Sequence, residues 1–400
     1  MVQVHTVCAC YLLAVWVVLG NEVCHVDGEP STPINNNNYP VKSADDANQQ
    51  DQTEIKLLHV LFRHGDRTPD REEMELYPAD PNIDNHFYPF GLKALTNEGK
   101  LREYKLGKIL RRFYKDFLNS IYLPEEIYVR TTDFDRTKMS ALALLAGLYP
   151  PQEEQRWHPH INWQPIPYHT PPIEEDDMLY YYTCPRFLEA RLDELHSPKF
   201  QKILEPYKGL FEKMCYHTGR NLTTPEEIFY IDNLFQAERN YNISPPDWAV
   251  PLMDQIREMT VIEYQLQFAT DELKKISGGT LLQKMLRDSY AAIKGTQEPK
   301  GRKMFLYSGH ENNVAALLAC SGVFEAHQPE YASTYILELH QQIKSKAYVF
   351  RILYIRDTSK PAEVLKIPDC GEFCPFDKFV QLTKNTVTDT LKKDCELQHG

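Results

Sequence analysis

The sequence predicts an α/β fold: a central mixed sheet flanked by helices, with a smaller, mostly helical cap. Three observations predict it. Apolar runs of strand length end in charged or ionisable residues and lead into apolar helical segments at 55–69, 126–149 and 303–320, the alternation expected when strands and helices share one layered core. Between the second and third of these, a crossing segment rich in proline and aromatic residues starts at Trp157 and gives way to helical stretches at 184–204, 222–238 and 251–268. Beyond them, 335–340 and 348–355 alternate or cluster like strands and supply an antiparallel part of the sheet.

Taken in order, residues 8–20 form an apolar core that suits a secretory signal better than a membrane span. A signal peptide is therefore expected over about 1–23, followed by export of a chain without a transmembrane segment, to the extracellular space rather than the lysosomal lumen. Residues 24–53 carry too few apolar side chains to bury anything and are expected to form a mobile arm. The core is expected over 54–170 and 271–400, and the cap over 171–270. A formal net charge of -12 argues against general nucleic-acid binding, which needs a broad positive surface.

Within the core, 55–62 reads as a buried strand that stops at Arg63, His64, Gly65, Asp66 and Arg67, and 70–91 as a structured loop. Apolar and aromatic residues recur at Leu101, Tyr104, Leu106, Ile109, Leu110 and Phe113, so 95–114 reads as a helix with Thr96 as its N-cap. A short strand at 127–129 runs into the turn RTTDFDR, where Arg130 stands at the strand end and Asp133, Asp135 and Arg136 read as a local ion network. The helix that follows, 137–148, is apolar almost all round and must be buried. A further helix is expected at 279–297, a strand at 303–307, and an apolar helix at 313–320 after Ser308, Gly309, His310 and Glu311. Six cysteines lie clear of the leader: Cys184, Cys215, Cys320, Cys370, Cys374 and Cys395. In an exported chain they allow three bridges and about fifteen pairings, and their wide separation disfavours a compact zinc site. Asn221 and Asn242 each begin an Asn-X-Ser/Thr acceptor sequence.

Ligands of open α/β sheets sit beyond the carboxyl ends of the strands. If Arg63, His64, Arg67, Arg130 and His310 converge there, their N–H groups suit a tetrahedral anion, because the planar fork of arginine matches two oxygens at once. His64 is then placed to attack phosphorus from one ring nitrogen, provided that a backbone carbonyl in the Gly65 turn fixes the proton on the other. Glu311 is the nearest candidate to protonate the leaving alkoxide and then to activate water. If anionic surroundings raise its pKa, activity at acidic pH follows. With arginines neutralising the phosphate, no metal or cofactor is called for.

These residues resemble the histidine acid phosphatases, the branch-two histidine phosphatase superfamily, in particular its secreted insect, prostatic and lysosomal members. Arg63-His64-Gly65-Asp66-Arg67-Thr68-Pro69 matches R-H-G-x-R-x-P, VRTTDFDRT matches the middle phosphate-binding segment, and 163–170 (WQPIPYHT) is similar to a segment of the animal enzymes. The resemblance implies an α/β core with a helical cap, metal-independent hydrolysis of small phosphomonoesters, His64 as nucleophile, and Arg63, Arg67, Arg130 and His310 as phosphate ligands. It also implies the bridges Cys184–Cys395, Cys215–Cys320 and Cys370–Cys374, and a homodimer as one possible assembly. Lysosomal and prostatic members place Asp where this chain has Glu311, one methylene longer. Two alternatives stand beside this reading: an exported protein that binds phosphorylated or lipid ligands with little turnover, and a phosphatase specialised for inositol phosphates or lysophospholipid phosphate.

Overall fold

The computed structural model of the chain describes residues 52–396. The expected signal at 1–23 and all but the last two residues of the expected arm at 24–53 lie outside the described residues. In chain order the elements are β1 (Thr53–Arg63), α1 (Arg71–Glu75), α2 (Asn97–Phe113), β2 (Ile127–Thr131) and α3 (Asp135–Leu148), then the helices α4 (Pro185–Leu195), α5 (Pro198–Leu204), α6 (Lys208–Thr218), α7 (Pro225–Arg239) and α8 (Met253–Gln267). The chain returns through α9 (Asp271–Lys294), β3 (Met304–Gly309), α10 (Glu311–Cys320), β4 (Thr334–Gln342) and β5 (Tyr348–Ile355), and ends in β6 (Glu363–Leu365), β7 (Cys374–Pro375), α11 (Phe376–Thr383) and α12 (Leu391–Asp394).

The sheet runs β2-β3-β1-β4-β5-β6, with β7 paired to β5. β1, β2 and β3 are parallel, and β4 lies antiparallel on the other side of β1, so the sheet is mixed as the sequence predicts. β1 reads as a nearly continuous apolar run because both of its faces are covered. Leu58, Val60 and Phe62 pack with Leu106, Leu110, Leu144 and Leu148 of α2 and α3, while Leu57 and Leu61 pack with Leu281, Met285, Leu317 and Leu318 of α9 and α10. The α2–α3 crossing is close because Gly107 and Gly147 meet backbone there: a Cβ on Gly107 would lie 2.0 Å from the Leu144 carbonyl oxygen.

The intervening helices bury a core of their own around Phe200, Met214, Ile228, Leu234, Phe235, Ile256 and Met259. Residues 70–91, expected within the main core, send Met74, Tyr77 and Phe87 into this helical cluster instead. Tyr77 and Phe87 carry large apolar surfaces that the neighbouring helices cover, whereas Tyr88 of the same loop stays exposed. The expected helix at 184–204 breaks at Ser197-Pro198, where the proline begins a new helix. α9 starts at Asp271 under the Thr270 cap, eight residues before the helix expected at 279–297. Gly278 and Gly279 do not start it; they sit inside it where Ala316 and Thr386 approach its backbone. Among the described residues no helix is long and apolar enough to cross a membrane.

Cys184–Cys395 and Cys370–Cys374 are bridged, with Cα–Cα separations of 5.0 and 5.2 Å. Cys215 and Cys320 are not; both are free. Cys215 belongs to the helical cluster, where its Sγ accepts from the Leu222 amide at 3.2 Å, whereas Cys320 is buried at the end of α10 with Sγ 3.1 Å from the Lys274 carbonyl oxygen. The two cysteines therefore belong to different cores. Asn221 and Asn242 are both exposed.

Candidate active site

Two parallel strands, β1 and β3, end side by side, with Arg63 in register with Gly309. The residues that follow each strand therefore meet in the crevice beyond the sheet. Gly65 turns the chain tightly enough to touch α2: a Cβ there would lie 2.5 Å from the Gly99 carbonyl oxygen. Asp66, within the same turn, binds Arg102 of α2 through two hydrogen bonds of 2.6 and 3.0 Å. The Gly65 amide donates to Ser140 Oγ of α3 at 3.2 Å, so the loop carrying His64 is fixed to both helices on that face.

A cavity of ≈ 300 Å³ opens at this point, lined by His64, Arg67, Arg136, His310 and Glu311, and further out by the aromatic side chains Phe134, Tyr180, Tyr182, Phe229 and Tyr230. His64 Nδ1 lies 2.8 Å from its neighbour's carbonyl, Gly65 O. A carbonyl only accepts, so Nδ1 carries the proton and Nε2 keeps its lone pair. Arg136 Nε donates to that Nε2 at 3.2 Å. Burial, then Arg136, Arg63, His310 and Arg67, push His64 well below the usual histidine range, which favours the neutral ring.

His310 caps α10, its amide donating to Asn313 Oδ1 at 2.9 Å, and its Nε2 sits 3.0 Å from Thr132 Oγ1. Its ring meets that of His64 edge-on at 5.4 Å, and burial with Arg136 pushes it down to about 3. Glu311, the first residue of α10, lies 3.0 Å from Arg63 Nε and 4.0 Å from His64 Nε2. Burial opposes its ionisation, but Arg63, Arg67 and His310 outweigh burial and hold the carboxyl down at about 2. That reverses the expectation of a raised value: two guanidinium groups, Arg63 and Arg67, dominate its surroundings.

Of the expected phosphate ligands, Arg67 and His310 line the cavity, and Arg63 lies directly beneath Glu311 with its guanidinium 4.0 Å over the Tyr331 ring. Arg130 does not join them. Its Nη2 donates to Asp176 Oδ1 at 2.7 Å, on the face of β2 away from Val129 and Thr131. The third cation beside His64 is Arg136, which sequence reading placed in a turn network. It is 7% exposed, 3.7 Å from Asp70 and 4.7 Å over the Phe134 ring. Arg67 is held by Glu73 from both its terminal nitrogens. Thr132, Asp70 and Glu73 are further members that sequence reading did not single out.

The nitrogens of His64 and His310 and a Glu311 oxygen lie within 4.8 Å of one another, a spacing that a metal ion can use. The charge around them favours the opposite ligand. Arg63, Arg67 and Arg136 flank the trio, and the buried Nη2 of Arg63 and Nη1 of Arg136 have no hydrogen-bond acceptor within the described residues. Buried donors of this kind fit an anion.

Residues 54–355 match the Histidine phosphatase superfamily (branch 2). The chain belongs to this superfamily. Its relatives include Venom acid phosphatase Acph-1 of Apis mellifera, 38% identical over 347 residues that cover 86% of this chain and 88% of the relative. Prostatic acid phosphatase of Bos taurus is 34% identical, covering 86% of this chain and 89% of its own length. Among solved structures, the phytase of Klebsiella sp ASR1 superposes with a TM-score of 0.65 at 17% identity, covering 86% of this chain and 98% of that one. At that identity the likeness concerns the fold alone.

Proposed function

We propose that this histidine phosphatase is an exported acid phosphatase that hydrolyses phosphate monoesters through a phosphohistidine on His64. The observation that carries the proposal is the His64 tautomer: Nδ1–H is bound to Gly65 O, and Nε2 faces a cavity ringed by guanidinium groups.

In the first step the Nε2 lone pair forms a bond to phosphorus as the P–O bond to the alcohol breaks. For this, the Arg136 N–H turns from Nε2 to a phosphoryl oxygen, the stronger acceptor because it is charged. Arg63, Arg67 and Arg136 then stabilise the equatorial oxygens as charge moves onto them. The leaving alkoxide takes a proton from Glu311. A phosphate dianion set among the three arginines offsets the cations that hold Glu311 low, so substrate itself raises this carboxyl toward its proton-donating form. In the second step the Glu311 carboxylate accepts a proton from water, the water oxygen bonds to phosphorus, and the N–P bond breaks to return the lone pair to Nε2.

The cavity wall informs the choice of substrate. Five aromatic rings line it, its lysine, Lys93, is already paired with Glu72, and Asp70 and Glu73 add negative charge. Small leaving groups with a flat apolar face suit such a wall, and a polyphosphorylated inositol finds no second cluster of free cations there. Export agrees with the apolar leader and with two disulfides, which form in oxidising compartments. Exposed Asn221 and Asn242 would then carry glycans.

The test is single-turnover reaction with a 32P-labelled aryl phosphate, quenched into alkali, in which an N–P bond survives. Wild type is expected to carry label on His64, and folded His64→Ala to carry none and turn over nothing. Equal turnover by the two proteins would end the proposal, and stable binding without phosphate release would favour the binding-protein alternative.

A further inference from the structure

A second cavity, separate from the catalytic one, lies close to it. It measures ≈ 480 Å³ and lies where α7 and α8 face the segment 328–331, lined by Arg239, Arg257, Asp232, Gln236, Thr260 and Tyr331 among others. Its electrostatics are unusual. Arg102 and Asp66, also in its wall, neutralise each other, and Glu330 is exposed at the rim. Arg239 and Arg257 make no ion pair or hydrogen bond through their side chains within the described residues, and Arg239 is pushed below its ordinary value by burial and then by Arg257. Two guanidinium groups thus line the same space.

Beside them is Asp232, 1% exposed. Its Oδ2 accepts from Thr260 Oγ1 at 2.9 Å, but Oδ1 is buried without a hydrogen bond of good geometry, Gln236 being turned to Gln328 at 2.8 Å. A buried carboxylate oxygen without a donor is costly, and a cavity that presents one next to two unpaired cations is matched to a ligand with both properties.

We infer that this cavity is a second binding site, for a small oxyanion that also donates a hydrogen bond. Hydrogen phosphate fits, its charged oxygens on Arg239 and Arg257 and its P–OH directed to Asp232 Oδ1; it is also the product that the proposed reaction releases next door. Burial pushes the Asp232 carboxyl up, which suits one proton shared between carboxylate and oxyanion. The site is not part of the catalytic cavity but touches it twice. Tyr331 lies in its wall and under Arg63, and Gln236 connects through Gln328 to Asn233, a residue of the catalytic cavity, by hydrogen bonds of 2.8 and 2.7 Å.

The test counts sites by equilibrium dialysis of the full chain with 32P-labelled inorganic phosphate, comparing wild type with Arg239→Ala/Arg257→Ala. The double variant is expected to bind one phosphate fewer per chain while its kcat with an aryl phosphate stays that of wild type. An unchanged count overturns the inference. Should the double variant fail to fold, Arg257→Gln, a change at an exposed position, is expected to weaken one class of phosphate site by at least about tenfold, and two identical isotherms would overturn the inference equally. Because the readout is a difference between two counts, it does not depend on whether the catalytic cavity turns over substrate.

Discussion

Removing Arg136 and removing Arg130 should have opposite consequences, and the structure says by how much. Arg136 donates to the Nε2 of His64 and keeps a second buried donor, Nη1, that has no acceptor within the described residues. Losing one donor aimed at a developing oxyanion typically costs about 2.7–4 kcal/mol of transition-state stabilisation, so Arg136→Ala is expected to lower kcat/KM by about 10²–10³. Its pH profile should move as well. After burial, Arg136 is the largest influence holding His64 low. Without it the histidine gains a proton at a higher pH, and because only the neutral ring attacks, the acidic limb of kcat/KM shifts upward in pH. Arg130 holds Asp176, whose Oδ1 also accepts from the Met178 and Leu179 amides. Arg130→Ala should therefore cost about 1–3 kcal/mol of stability and leave turnover within a few-fold of wild type. The assay is aryl phosphate hydrolysis from pH 3 to 8, with thermal unfolding followed by circular dichroism. A loss in folded Arg130→Ala equal to that in Arg136→Ala, or an unmoved acidic limb in Arg136→Ala, would refute the reasoning.

Glu311→Gln should discriminate between leaving groups. With an alkyl phosphate, kcat should fall by about 10²–10³, and with a nitrophenyl phosphate far less, since general acid catalysis matters most where the alkoxide is a poor leaving group; equal losses would remove Glu311 from the role of acid. Gly107→Ala places a methyl group against the Leu144 carbonyl and should destabilise the fold by about 3 kcal/mol, read as a lowered midpoint in urea. Alkylation of the unfolded, unreduced chain followed by peptide mapping should label Cys215 and Cys320 and spare Cys184, Cys370, Cys374 and Cys395; a linked peptide containing Cys215 and Cys320 would contradict the free thiols.

The sheet was legible because its strands are buried on both faces. A run such as LLHVLF cannot be solvated, and the charged knot that ends it marks where the strand leaves the core. The helical layer was less legible. Ser197-Pro198 starts a helix rather than interrupting one, and the Gly278-Gly279 pair lies within a helix because close neighbours need the space that a Cβ would fill. The Ser-Pro start follows a local rule for helix N-termini, whereas the local signal of the glycine pair is overridden because packing supplies the reason for those residues.

The arginine exchange has a similarly local cause. His310 immediately precedes α10 and Arg136 lies in the first turn of α3, whereas Arg130 is still inside β2, where alternate side chains point to opposite faces. Thr131 and Val129 face the core, which turns Arg130 the other way, toward Asp176. The cation that reaches the cavity comes from the start of the helix rather than the end of the strand, since the helix start is what abuts the crevice. The distinction was available in the sequence, because two arginines stand six residues apart in RTTDFDR and the period-two alternation of the strand separates them. The value of Glu311 was not available in that way. Whether a carboxyl beside a histidine is held high or low depends on how many guanidinium groups reach it, and Arg63, Arg67 and Glu311 converge only once β1 and β3 lie side by side. In the proposed mechanism the charges that would bind the anion are also those that keep Glu311 ionised. Binding and proton donation are thus coupled through one electrostatic balance, which the substrate dianion itself shifts.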